Sequence, residues 1–252
     1  MSVKISNLFD NSNIRQIDSK GSFVVLEHEK DLSTNYMKAQ SEYFASQMGI
    51  HKRQLICQLS DSGVTVQAGA MQWMSGSVNS TTGIKGAGDL AKKIFASKVT
   101  NESAIKPEYR GNGFLMLEPT YKHILLIDLK DWNNALIIED GLFLASEDSN
   151  SMKVVAKKTL SSAIAGNEGL FNLCLTGKGI VALESFIPYE ELIVVELNND
   201  VIKIDGSYAI AWSDSLQFTV ERSGKTLLGS AVSGEGLVNV YRGTGKILMA
   251  PI

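Results

Sequence analysis

An excess of charge of either sign is missing. Lys and Arg total 24 against 27 Asp and Glu over 252 residues, a formal net charge of -3. No global positive field therefore gathers nucleic acid or anionic lipid, and only a local basic patch could do so. Cysteine is scarce. Cys57 and Cys174 each sit inside an apolar run and lack the spacing of a disulfide framework or a zinc site, so they read as buried free thiols in a reducing cytosol. Proline is equally sparse. Pro107, Pro119, Pro188 and Pro251 fall between or after the strand-like runs, where a missing N–H does no harm to a ladder. Long apolar runs are absent too: no stretch has the uncharged length of a membrane span, and "MSVKISNLFDNSNIRQ" lacks the apolar core of a signal peptide. These absences point to a soluble, cytoplasmic protein without a membrane span.

What is present is a long series of short apolar or alternating runs cut by Gly, Asn, Asp and Ser. They include "QLICQLS", "GVTVQAGAM", "KHILLIDL", "NALIIEDGLFLAS", "MKVVAKKTL", "ELIVVELNN", "VIKIDGSYAIAW" and "LQFTVERS". Such spacing predicts an all-β architecture. Two segments depart from it. "STNYMKAQSEYFASQMG" carries Ser33 or Thr34 as a cap, Gly49 as a stop, and Met37, Phe44 and Met48 at helical spacing, which predicts one amphipathic helix within 34–49. The Gly/Ser/Thr-rich stretch "SVNSTTGIKGAGDLAKKIFASKVTNES" leads into a short potential helix. It lacks the proline and charge enrichment of a linker, and Ile94 and Phe95 need cover, so it is expected to pack on the body of the domain.

A repeat is visible. "GAMQWMSGSV" starts at Gly69, "GLFLASEDS" at Gly141 and "GSYAIAWSDS" at Gly206; each follows a strand-like run and reads Gly, small or apolar residues, then Ser. A second element recurs as "GFLMLEPTYKHILLI" from Gly113, "GLFNLCLTGKGIVAL" from Gly169 and "GLVNVYRGTGKILMA" from Gly236. The last two share Gly, Leu and Asn and a G-x-G, Gly177/Gly179 and Gly243/Gly245, offset by one residue as a bulge or turn shift would leave it. Three such units, each too small to bury its own faces, would stack into one sandwich-like or prism-like core. A single domain over 1–252 follows, with units at about 21–99, 100–166 and 167–252 and a helix-containing insertion at 34–49. Met71, Trp73 and Met74 become candidates for the interior or an interface, with Met71 and Trp73 on one strand face and Gln72 and Met74 on the other.

In their order, "GVTVQAGAMQWMSGSV", "TGIKGAGDLAKKIF", "TNESAIKPEYRGNGFLML", "GLFNLCLTGKGIVALES" and "GEGLVNVYRGTGKILMAP" resemble the altered inheritance of mitochondria protein 24 family. Its prokaryotic members are similar in fold to the tryptophan RNA-binding attenuation protein. The resemblance runs from about Leu55 onward and implies triplicated all-β units and a homo-oligomer, a trimer among the possibilities, with no established enzymatic activity; the two segments above add one or two short helices. The 34–49 segment lies outside that pattern, and "TNESA" lacks the aromatic that usually follows. The RNA and tryptophan sites of the fold relative map onto no residues here, and fold does not carry function.

Catalytic and ligand motifs fail on inspection. "SGKT" at 223–226 has Thr219 where a phosphate-binding loop needs glycine, and its surroundings read as a hairpin. "GIKGAGDLAKK" places Gly83, Gly86 and Gly88 before Lys92 and Lys93, an anion-loop candidate that close packing against a neighbouring subunit explains equally well. His28, His51 and His123 stand singly, without a ligand-type neighbour, so no metal site is expected. The carboxylates of "EDG" (139–141), "PYEE" (188–191) and "NNDV" (198–201) are expected in solvated turns. The reading is a non-enzymatic homo-oligomeric scaffold or binding module, with no cofactor and with Met71, Trp73, Gly86, Gly88, Lys92 and Lys93 as candidate interface or anion contacts. Two alternatives stand beside it: a nucleic-acid-binding ring using Lys85, Lys92, Lys93 and Lys98, disfavoured by the acidic balance, and a small-ligand binder with a site at a subunit boundary.

Overall fold

The computed structural model describes residues 3–81, 106–156, 171–222 and 237–252. Gly86, Gly88, Lys92 and Lys93, the SGKT segment and the expected unit boundaries near 99 and 166 lie outside the described residues. The apolar runs become strands. A hairpin of β1 (Ile14–Lys20) and β2 (Phe23–His28) is followed by helix α1 (Ala39–Gln47), then β3 (Lys52–Val66), β4 (Met71–Thr81) and β5 (Glu108–Leu117). The middle of the chain forms β6 (His123–Asp128), β7 (Ala135–Ile138), β8 (Phe143–Glu147), β9 (Ser151–Ala156), β10 (Phe171–Thr176) and β11 (Ile180–Ser185). The last group is β12 (Ile193–Asp205), β13 (Ala209–Ser213), β14 (Gln217–Arg222) and β15 (Leu237–Met249). Among the described residues these form one eight-stranded and one seven-stranded sheet.

One pairing rule recurs three times along the chain. β5 lies between β3 and β4, so the strand that comes third in sequence is central. β15 likewise lies between β12 on one side and β13 and β14 on the other. In the middle group the rule is kept but every strand is broken in two. β11 sits between β6 and β8 in the larger sheet, while β10 sits between β7 and β9 in the smaller. The middle group therefore joins the two sheets.

That placement explains its sequence. "HILLID" and "IVAL" do not alternate because apolar cover exists on both faces. Ile124, Leu126, Ile180 and Ala182 pack into a core with Phe23, Leu55 and Cys57, whereas Leu125, Ile127, Val181 and Leu183 pack into a second core with Leu136, Ile138, Leu173 and Leu175. Ile137 and Cys174 turn to a third core containing Trp212 and Tyr241, where Phe218 packs and the three rings lie 5.1–5.5 Å apart. The order is core, sheet, shared core, sheet, core.

The helix is shorter than its sequence pattern and plays a different part. α1 spans Ala39–Gln47 and buries no residue; Met37, Phe44 and Met48 are 74%, 58% and 79% exposed. The spacing that predicts an apolar face is present, but nothing described here covers it. "NNDV" also departs from the expected turn. It lies inside β12, where the register with β15 slips between Leu197 and Asp200 and Asn199 takes φ 51° beside Gly243. The second G-x-G thus marks a bulge in a continuous strand, while Gly177 and Gly179 fall in the connection between β10 and β11.

Candidate functional site

Two regions concentrate unusual chemistry: strand β4, with the sheet edge it forms, and a buried polar group behind it on β2 and β3. Along β4 the register with β5 slips between Met71 and Trp73, leaving Gln72 as a bulge. A bulge resets alternation. Met71 and Met74 consequently emerge 38% and 43% exposed, outside the core of the single chain. Trp73 is half-buried against Val24, Leu26, Ile56 and Met116, in a small cluster on the opposite face of the sheet from the main core. Gln72 is held by its side chain, whose Oε1 accepts from Gln54 Nε2 at 2.9 Å; the same amide nitrogen donates to the Leu117 carbonyl at 3.2 Å. Farther along, β4 and β5 approach so closely that glycine is required on both. A Cβ on Gly113, whose φ is +151°, would overlap the Ser75 carbonyl oxygen, and one on Gly76, at φ +86°, would overlap the Asn112 carbonyl oxygen.

β4 hydrogen-bonds only to β5, so its other edge is unpaired among the described residues. β12, which hydrogen-bonds only to β15, is the corresponding open strand of the smaller sheet. Its exposed apolar residues are Ile193, Val194 and Val201. An open edge offers unpaired N–H and C=O groups to any extended chain, and natural sheets blunt such edges with charge or proline. "MQWMSGSVNST" has neither.

Behind β4, Arg53 on β3 is 4% exposed. Its guanidinium meets Glu27 on β2 at 2.7 Å and donates to the carbonyls of Gly49 at 3.1 Å and His51 at 3.4 Å. The Nε–H has no partner among the described residues. Glu27 is shared with Arg15 at 2.9 Å. A second knot ties Asp31 to Lys52 at 2.8 Å and to the Tyr121 hydroxyl at 2.9 Å. The Lys52 ammonium foremost, with Ser33, holds the Asp31 carboxyl well below the usual carboxylate range. Burial and the adjoining Asp31 push the Tyr121 phenol up to about 12.

Arg53 and His123 also line a cleft of about 400 Å³ with Asp18, Lys20, Tyr189 and Glu190. The cleft's lining carries two carboxylates, Asp18 and Glu190, and two cations, Lys20 and Arg53, the latter already engaged by Glu27. Burial, reinforced by Arg53, lowers the His123 pKa and keeps the ring neutral at pH 7. The Arg53–Glu27 pair was not anticipated from sequence. The only available signal was a charged residue inside each of two neighbouring strand runs, "FVVLEH" and "KRQLICQLS". The candidate nucleophiles are closed: Cys57 and Cys174 are both fully buried, and burial raises the Cys57 thiol pKa far out of reach and the Cys174 pKa to about 11. Among the described residues no group of three His, Cys, Asp or Glu side chains could hold a metal ion, and no helix is long and apolar enough to cross a membrane.

Residues 45–252 match the family model described as Mitochondrial biogenesis AIM24. An uncharacterised protein of Streptococcus pyogenes serotype M6 is 28% identical over 191 residues, which is 73% of this chain and 75% of that protein. The crystal structure of a Streptococcus pyogenes protein superimposes with a TM-score of 0.58 at 26% identity, covering 81% of this chain and 89% of the other.

Proposed function

This chain belongs to the Mitochondrial biogenesis AIM24 family, and from that premise we propose that it is a non-enzymatic, homo-oligomeric scaffold or binding module. One observation carries the reading: among the described residues two long strands, β4 and β12, are each paired on one side only, and β4 is free of charge and proline. Association that covers such edges removes an aggregation liability. The threefold recurrence of a central third strand supports three related β units. We place them at 52–117, 123–185 and 193–249, with the β1–β2 hairpin added alongside β3. On this reading α1 and its exposed Tyr43, Phe44 and Met48 lie outside the repeated body, available to a partner.

The test is absolute mass by light scattering coupled to size exclusion, with absorbance at 260 and 280 nm on the same peak. A multiple of 27.4 kDa without nucleic acid is expected. A single-chain mass at micromolar concentration overturns the oligomer, and a peak carrying nucleic acid replaces the scaffold with a nucleic-acid-binding ring.

A further inference from the structure

The units already contact one another inside the chain, and they do so the same way twice. At the first junction the last three residues of β3 pair with β8: Val66 with Ala145, Thr65 with Ser146 and Val64 with Glu147. At the second, the last three residues of β7 pair with β13: Ile138 with Ala211, Ile137 with Trp212 and Leu136 with Ser213. In both, the incoming strand is the second of its unit, and pairing begins at its third residue. That residue follows a bulge. The register of β8 slips at Leu144 and that of β13 at Ile210. The bulge carbonyl completes the junction, accepting from Gln67 N–H at 2.8 Å in one case and from Glu139 N–H at 3.0 Å in the other.

Among the described residues the third unit's first strand, β12, has no such visitor, and the first unit's second strand, β4, has no such host. Yet β4 has the same bulge at its second residue, Gln72. We propose that β4 of a second copy of this chain docks on the end of β12, placing Trp73 opposite Asp205, Met74 opposite Ile204 and Ser75 opposite Lys203. This rests on the homo-oligomeric reading above and specifies its contact. The occupant follows from the junction rule: only another copy supplies a second strand with the bulge at that place. The joint is head-to-tail, so each added copy again leaves one β4 and one β12 open until a ring closes. In the single chain the Gly206 N–H, which corresponds in position to the Gln67 and Glu139 donors, is taken by the Asp205 carboxylate at 2.9 Å.

Directly opposed residues on antiparallel strands bring their Cβ atoms within about 4.5–5.5 Å, close enough for a disulfide after small adjustment. Ser75 is half-buried and Lys203 exposed, so both accept cysteine, and the native thiols are buried out of reach. Ser75→Cys/Lys203→Cys, oxidised under mild conditions, should give a reducible ladder of covalent multimers. An equimolar mixture of the two single variants should stop at the dimer, and neither single variant should cross-link alone. Light scattering of the same samples separates the outcomes. An oligomeric mass without the ladder overturns this joint and leaves the scaffold reading standing; a single-chain mass overturns both. Cross-linked Ser75→Cys or Lys203→Cys alone means a two-fold edge contact and also overturns it. A variant independent of disulfide chemistry is Met74→Lys, whose site is exposed in the single chain. It should shift the mass toward 27.4 kDa while the far-ultraviolet spectrum is unchanged, and an unshifted mass counts against the joint.

Discussion

Replacing Glu27 by Ala strips the Arg53 guanidinium of its carboxylate. Arg53 is 4% exposed, its other contacts are two backbone carbonyls, and its Nε–H is already unpartnered. Among the described residues no carboxylate other than Glu27 makes an ion pair with Arg53, and Glu29 pairs with Arg15 at the surface. Removing one member of a buried pair costs about 3–5 kcal/mol, mostly the penalty for a buried charge left alone. The surface side of the network supplies the control. Arg15 is 56% exposed in its side chain, so Arg15→Ala should cost less than about 1 kcal/mol. The double variant Glu27→Leu/Arg53→Met, which removes both charges and keeps apolar volume, should recover most of the loss. Urea unfolding followed by tryptophan fluorescence and far-ultraviolet circular dichroism measures all three. A Glu27→Ala loss no larger than that of Arg15→Ala would refute the argument, because it would mean that Arg53 keeps its hydration in the folded protein.

Three further outcomes follow from the same structure. Gly113→Ala should destabilise by about 1–3 kcal/mol, since φ +151° belongs almost solely to glycine and the new methyl meets the Ser75 carbonyl; urea midpoints test it. Asp31 has a folded-state pKa below its unfolded value of about 3.9, so its contribution is complete above that pH and lost as pH falls toward the folded value. The stability gap between the native protein and Asp31→Asn should therefore hold at pH 7 and narrow below pH about 4, and a gap that widens on acidification would contradict it. Cys57 and Cys174 should be inert to a thiol reagent at pH 8 and both titrate in denaturant; rapid native labelling would place one of them at the surface.

The strand-like runs of the middle group were readable as β because Ile, Leu and Val recur between turn residues, and the lack of alternation in "HILLID" was an undeciphered mark of double-sided burial. What escaped sequence reading was tertiary. The periodic Met37, Phe44 and Met48 define a face on α1, but periodicity does not say whether anything lies against it. The alternation of "AMQWMSG" sorts side chains by parity, yet the slip at Gln72 depends on partners from β3 and β5. Arg53 and Glu27 lie 26 positions apart in sequence and meet only because β2 pairs with β3. Met71, Trp73 and Met74 sit on a strand that is paired on one side only among the described residues, a placement that parity along the sequence does not reveal.

The central position of each third strand has a consequence during synthesis. β4 leaves the ribosome before β5, and β12 and β14 before β15, so each emerges before the one strand it pairs with among the described residues. An early hairpin of β3 with β4 would occupy the edges β5 must enter, so the native topology rewards a nascent chain that waits. Loop closure over such separations is slow and the waiting strands are aggregation-exposed. Folding yield should therefore depend on elongation rate and chaperone supply far more than the stability of the finished protein would indicate.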